Sequence, residues 1–298
     1  MAEKGPGRAI LANTLPQLET FFRNRADALL GRYGEQAARN AFKPVDGLWF
    51  GVEFCVHRMP ATEHIFSAAD HALRKGMRLT LVTPYAAGRD LDLLWDNVRP
   101  VLAEKDVVQR VTVNDWGMLA RVRQHFPRIP VYLGRVLNRQ RTSPQLVDLL
   151  EKPQSLPRDF WDYAGTCAAD NARFAAWLKS IGVAGSEQDN PEQGVRPVRH
   201  RLARVLHWPW VYVTTTRRCG YGNYTGDAHG AAAAPLLQPV VLPARCGRQC
   251  EGYLHELSVK EFGVGLVLNG NTQFYFNDQL PEDLSRFQFV VEHCHVPC

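Results

Sequence analysis

The chain of 298 residues is 45% hydrophobic and 22% charged, the balance of a soluble globular protein, and no apolar run approaches the roughly 20 residues that span a bilayer. Its net charge of +5 is too small to announce a nucleic-acid binder, which presents a basic stripe. The N-terminal MAEKGPGRAILANTLPQ has no continuous apolar segment, so a cytoplasmic protein is expected rather than a secreted one.

Short β-rich runs alternate with helical segments along the chain. Strands are predicted at Ala9–Asn13, Gly47–Val52, Arg78–Thr83, Arg110–Val113, Val131–Val136, Gly182–Glu187, Trp210–Thr214 and Phe287–Val291. Several are apolar almost throughout, as parallel strands buried on both faces are. Helices are predicted at Glu63–Lys75, Asp90–Glu104, Trp116–His125 and Asn171–Ile181, the last ending at the C-capping Gly182. Alternating β and α elements imply a parallel sheet with right-handed crossovers. Eight strands in this length predict an α/β fold of the (β/α)8 TIM-barrel type, with a doubly wound open sheet as the competing arrangement. Residues 1–298 read as a single barrel-like domain. After the seventh strand the pattern breaks: residues 219–252, rich in Gly, Ala and Pro, form a long cysteine-bearing loop, which in a compact domain is functional or disordered. Residues 253–277 read as a hairpin unit, with Asn269-Gly270 a type I′ turn signal before the alternating Thr272–Phe276.

Seven cysteines stand at positions 55, 167, 219, 246, 250, 294 and 298. An odd count without a signal peptide argues against a disulfide framework and for metal or redox chemistry. Cys246 and Cys250 form a C-x3-C pair, 27 and 31 positions after Cys219. In a barrel, Cys55 after the second strand and Cys219 after the seventh lie at the C-terminal face, where loops build active sites. The long loop can carry Cys246 and Cys250 back over that face. Four such thiolates are the soft ligand set of an iron–sulfur cluster. Structural zinc with tight pairs on both sides lacks its second pair here, and a radical-SAM site needs a third cysteine where Tyr253 stands. Cys167 reads as a small buried hydrophobe. Cys294 and Cys298 resemble a metal pair with His293 and His295, but as a chain terminus read as incidental. Arg58, Arg217, Arg218, Arg245 and Arg248 flank the four cysteines. Their guanidinium groups suit an anionic cluster, an anionic substrate or a solvated loop alike.

Around these cysteines the chain resembles the collagenase-like peptidase family, and within it the UbiV type. Gly51-Val52-Glu53-Phe54-Cys55-Val56-His57-Arg58 resembles that type's Gly-Glu-x-x-Cys-x-x-Arg segment, with cysteine and arginine in register. Val113–Gly117 is similar to the family's V-N-D-x-G, Leu133–Asn138 to its L-G-x-x-L-N, and Asn269-Gly270-Asn271 to its segment before the final strand. Thr214–Cys219 and the C-x3-C pair resemble the cluster-binding stretch. The resemblance implies a barrel with a 4Fe-4S cluster on Cys55, Cys219, Cys246 and Cys250, serving oxygen-independent hydroxylation. It further implies an aromatic or quinone-precursor substrate in ubiquinone synthesis, a UbiU-like partner subunit in a heterodimer, and a prephenate-like oxygen donor; relatives hydroxylate RNA bases. The gap between Cys219 and Cys246 is longer than in that type.

Other machinery is sparse. No G-x-S-x-G, H-E-x-x-H, Walker A or dinucleotide-binding glycine motif is present, so peptidase chemistry and a zinc-stabilised scaffold stand as alternatives. Glu53, Asn114, Asp115, Asn138 and Glu187 fall at the C-terminal ends of predicted strands, facing an active site in a barrel. Glu53, Asp115 and Asn138 are the candidate catalytic residues. Helix capping by Asn114-Asp115 and a buried hydrogen bond for Glu53 are the structural alternatives. Arg58, Arg135, Arg217 and Arg218 are the candidate substrate or anion ligands.

Overall fold

The computed structural model describes residues 6–21, 45–150, 156–196, 202–219, 221, 240–241, 246–251, 254–257 and 264–294. The Gly/Ala-rich middle of the predicted cysteine loop, Arg245, Tyr253 and the tail from His295 to Cys298 lie outside the described residues.

Because side chains alternate across a strand, each barrel strand supplies one set of residues to the interior and another to the helices outside. β1 (Gly7–Ala12), β2 (Val45–Gly51), β3 (Arg78–Thr83), β4 (Arg110–Val113), β5 (Val131–Leu133), β6 (Val183–Asp189), β7 (Ala203–Trp208) and β14 (Phe289–His293) form a closed barrel, with β14 pairing in parallel with both β1 and β7. Closure excludes the open sheet. The outer set, among it Leu48, Phe50, Leu79, Leu81, Val111, Val113 and Leu133, merges with Ile65, Val98, Leu119 and Leu178 into one large core under the helices. The inner set, including Leu11, Trp49, Val82, Tyr132, Val205, Phe289 and Val291, packs as a separate cluster. Within that cluster Arg110 lies among the rings of Trp49, Tyr132 and Phe289 at 5.3, 4.6 and 4.8 Å from their centroids.

The helices are α1 (described over residues 15–21), α2 (Thr62–Arg74), α3 (Arg89–Ala103), α4 (Trp116–His125), α5 (Pro144–Leu150), α6 (Arg158–Ala164) and α7 (Ala172–Ser180). Asp115 caps α4 by accepting from the N–H groups of Gly117 and Met118 at 2.7 and 3.1 Å. Asn171 caps α7 in the same way. Both satisfy amide donors that a helix start otherwise leaves bare. The short α5 and α6, which periodicity does not predict, fill the stretch between β5 and β6.

One predicted strand is misplaced. Trp210–Thr214 is not the seventh barrel strand; that place belongs to Ala203–Trp208. The residues of β7 include Arg204 and His207, which mask it as an apolar run. Arg204 is nevertheless buried, with Nε and Nη2 on Gln188 Oε1 at 2.9 and 2.5 Å and Asp170 at 3.4 Å. Past Pro209, which has no N–H to give a ladder, the chain leaves the barrel as β8 (Trp210–Thr215). It joins an antiparallel sheet in the order β11 (His255–Leu257), β12 (Leu266–Asn269), β13 (Thr272–Phe276), β8. The predicted hairpin is therefore the middle of a four-stranded sheet. Its turn also differs from expectation: Asn269 pairs with Thr272, and φ is positive at Gly270 (63°) but not at Asn271. A two-residue loop with glycine first is the II′ pattern, not I′.

Gly51, at the end of β2, has φ +132°, and a Cβ there would stand 2.1 Å from the Val82 carbonyl oxygen. Gly51→Ala is expected to destabilise the fold by about 2–4 kcal/mol, read from urea unfolding followed by circular dichroism; an unchanged midpoint would contradict the close approach of β2 and β3.

Candidate functional site

At the C-terminal mouth of the barrel, a guanidinium is buried with carboxylates from two strand ends. Arg135, just after β5, is 1% exposed. Its Nε donates to Glu53 Oε1 at 2.9 Å, its Nη2 pairs with Glu53 Oε2, and its Nη1 donates to Asp189 Oδ1 at 2.6 Å and to the Trp210 carbonyl at 3.1 Å. Burial alone would lower its pKa, but Glu53 and Asp189 outweigh that and hold it above the ordinary arginine value. Burial raises the carboxyl pKa of Asp189, opposed by Arg135 and by the Tyr212 N–H, which donates to Oδ1 at 3.0 Å. Arg135 thus joins the segment after β2, the end of β6 and the start of β8. Phe54 extends the joint, stacking on Tyr212 at 4.8 Å with the Arg135 guanidinium 5.4 Å from its ring centre.

Beside this fork, Glu187 on β6 is fully buried. Its Oε1 accepts from Trp49 Nε1 at 2.7 Å and Thr112 Oγ1 at 2.6 Å, and its Oε2 meets His207 Nε2 at 2.9 Å. Burial pushes its carboxyl up, but His207 and these donors reverse the shift and leave it below the usual carboxylate range. Glu53, Glu187 and His207 bring one ligand atom each within 4.8 Å of one another. Those atoms already have partners in the Arg135 fork and the Glu187–His207 contact, so the group is closed by protein.

The cysteines meet on the flank of the same mouth. Cys55, Cys219 and Cys250 are buried and Cys246 half-buried, and none of the four is in a disulfide. Cys219 packs with Cys250 and Tyr221 against Leu268. Burial pushes the Cys219 thiol up to about 11, and Cys250, Cys55 and Cys246 all lie near enough to push in the same direction. Burial also raises the Cys246 thiol, with Cys55 and Cys250 adding to it, although the Arg248 N–H reaches its Sγ at 3.3 Å and opposes the rise. Three remote segments therefore bring four sulfurs near enough to act on one another electrostatically.

The fold explains this approach. Cys55 opens a 3-10 turn at Val56–Arg58, and Cys250 sits in another at Gln249–Glu251. Cys219 ends β9 (Arg218–Cys219), which pairs antiparallel with β10 (Val240–Val241). The β12–β13 turn clamps these pieces. Asn271 Nδ2 donates to the Phe54 carbonyl at 3.1 Å and to the Thr216 carbonyl at 2.7 Å, and Asn269 Oδ1 accepts from Arg58 Nη1 at 3.4 Å. The buried Arg58 is also 3.9 Å from Glu251. One turn and one arginine thus tie the Cys55 segment to the approaches of Cys219 and Cys250.

A cavity of about 700 Å³ opens at the mouth, lined among others by Tyr85, Trp116, Arg139, Tyr212 and Arg217. Arg217 Nε donates to the Tyr85 hydroxyl at 2.6 Å, and its guanidinium lies 5.1 Å from that ring's centre. Aromatic walls with two guanidinium groups suit a planar, anionic molecule.

The predicted site residues thus divide. Glu53 and Arg135 lie in the buried fork, Arg58 beside the cysteines and Arg217 in the cavity wall. Asp115 caps α4. Asn114 bonds the Thr83 carbonyl and the Val136 N–H, and Asn138 bonds the Glu187 carbonyl and the Ala169 N–H. These hold loops in place. Arg218 lies in β9. Sequence reasoning does not single out Asp189, His207, Tyr85 or Tyr212, and it takes His293 only with the tail cysteines. Asp189 had a signal, since it stands two residues after Glu187 and so on the same strand face.

No protein-family model matches the chain, and no curated protein does. Among solved structures, the U32 peptidase Mk0906 is similar at a TM-score of 0.42 and 12% identity, over 98% of this chain and 94% of that chain.

Replacing Arg135 by Met leaves two carboxylates buried without their cation. The expected cost is about 3–5 kcal/mol, read from urea unfolding, and Arg135→Lys is expected to recover only part of it because an ammonium lacks the two-pronged fork. A near-neutral Met variant would show the fork to be dispensable. Cys167, buried in the core with its thiol pushed up to about 12, is expected to escape alkylation at pH 8, where about one molecule in ten thousand carries the thiolate. Mass spectrometry of native protein treated with iodoacetamide reads this directly, and rapid native labelling of Cys167 would contradict it.

Proposed function

We propose that this chain is an iron–sulfur protein whose 4Fe-4S cluster is held by Cys55, Cys219, Cys246 and Cys250. The observation carrying this reading is the approach of four cysteine sulfurs, drawn from three segments far apart in sequence, to within each other's electrostatic reach. The donor set fits: four soft thiols match the ligand number and type of such a cluster. Burial raises the Cys219 and Cys246 thiols, so these two stay neutral until a metal displaces their protons. When bound, the cluster supplies electron transfer or a Lewis-acidic iron.

The protein's own part is to hold and shield. Arg58, three residues after Cys55 and 3.9 Å from Glu251 next to Cys250, brings a cation to the cysteine segments, offsetting the charge that four thiolates bring. The Asn269-Gly270-Asn271 turn fixes the Cys55 segment against the end of β8, and burial of three of the four cysteines keeps water from most of the site. The neighbouring cavity takes the substrate. Its aromatic walls and its Arg139 and Arg217 support an aromatic, anionic one, in line with oxygen-independent hydroxylation of a quinone precursor. A prephenate-like oxygen donor and a homologous UbiU-like partner subunit complete the proposed system in the cytoplasm. No described helix is long and apolar enough to cross a membrane.

Single Cys→Ser variants at the four positions, purified without oxygen, test the ligand set. Each is expected to lose at least half of its bound iron and sulfide, whereas Cys167→Ser and Cys294→Ser keep theirs. Full iron and sulfide in any of the four would remove that residue from the set. Stoichiometric zinc in colourless protein would point to a zinc scaffold, and hydrolysis of gelatin by metal-free protein, lost with one thiol, to a peptidase.

A further inference from the structure

The barrel interior holds a carboxylate and two imidazoles in a row. His207 Nε2 lies 2.9 Å from Glu187 Oε2, and His207 Nδ1 lies 2.8 Å from His293 Nε2. The three side chains come from neighbouring strands β6, β7 and β14, and all are buried. With Glu187 ionised, as its lowered pKa requires at neutral pH, its Oε2 can only accept, so His207 carries its proton on Nε2. His207 Nδ1 is then an acceptor, and the 2.8 Å contact needs the proton of His293 Nε2. One tautomer of each ring satisfies both contacts.

The surroundings carry more carboxylates than guanidinium groups. Glu187 and Asp189 on β6 and Glu53 after β2 contribute three carboxylates around His207, all buried. Arg135 after β5 pairs with Glu53 and Asp189. On the other side of Glu187, Arg110 on β4 and Tyr132 on β5 act at longer range. Arg135 answers two of the three carboxylates with a single charge, and Glu187 has no arginine bound to it among its contacts.

We propose that Glu187, His207 and His293 form an acid–base store in the barrel mouth that holds a single proton shared between the two imidazoles. A proton from solvent bonds to His293 Nδ1; as it arrives, the Nε2–H bond of His293 breaks and an Nδ1–H bond forms on His207. The positive charge then rests against the Glu187 carboxylate, and release to solvent reverses each step. No electron moves. The inference does not depend on what the cysteines hold, because it is read on ring nitrogens.

The test is proton and nitrogen NMR of the full chain labelled with ¹⁵N-histidine, followed from pH 5 to 9. The expected result is a far-downfield ring proton from the His207–His293 hydrogen bond, and uptake of a single proton to which both rings respond with one common midpoint. Glu187→Gln, which keeps the shape and removes the charge, is expected to weaken that uptake at least tenfold. Two rings titrating independently near the ordinary histidine value of about 6.5, or no hydrogen-bonded ring proton at any pH, would overturn the store. So would an unchanged midpoint in folded Glu187→Gln protein.

Discussion

A guanidinium taken out of water must be matched by charge, and around Arg135 that requirement organises the mouth of the barrel. Its fork is filled by Glu53 and its remaining amino group by Asp189 and the Trp210 carbonyl. Those partners stand after β2, at the end of β6 and at the start of β8, so one side chain fixes three chain segments that are remote in sequence. Breaking a buried pair of this kind is costly because the surviving charge stays behind. The position of Cys55 depends on it, since Glu53 is two residues away and Phe54 between them is wedged against Tyr212 and Arg135.

The appended sheet extends the same logic outward. β8 leaves the barrel at Pro209 and pairs with β13, and the Gly270–Asn271 turn reaches back to the Phe54 and Thr216 carbonyls. A backbone carbonyl near a barrel rim needs a donor, and here an asparagine from a hairpin tip provides it for two segments at once. As a consequence, the chain before Cys219 and the chain before Cys55 are held side by side. The barrel itself contributes the buried polar group of Glu187, His207 and His293 and the cavity at its mouth. Scaffold, sulfur site and cavity are thus consequences of a few satisfied polar groups rather than separate features.

Much of this was legible before any coordinates. β2, β3, β4 and the core-facing helices announce themselves because buried parallel strands are continuously apolar and α4 and α7 carry capping side chains at their starts. Glu187 was readable as a strand residue for the same reason, although β6 runs on to Asp189. β7 was not, because its interior is polar: Arg204 and His207 are stabilised by Gln188, Asp170, Glu187 and His293, partners supplied by tertiary structure and invisible to periodicity. Trp210–Thr214 then took its place, being the more strand-like of the two runs. The II′ turn was missed because Asn-Gly also marks I′, and only the pairing of Asn269 with Thr272 decides which two residues make the loop. Asp115 and Asn138 stood at the ends of strands as catalytic residues do, yet their hydrogen bonds go to backbone amides and carbonyls.

The account rests on one claim, that the four cysteines gathered beside the mouth hold an iron–sulfur cluster. The most direct measurement is the absorption spectrum of the wild-type protein purified without oxygen, with iron and acid-labile sulfide determined on the same sample. A brown protein carrying about four irons and four sulfides per chain is the predicted result. Colourless protein that takes up neither, even after reconstitution with iron and sulfide, would contradict it.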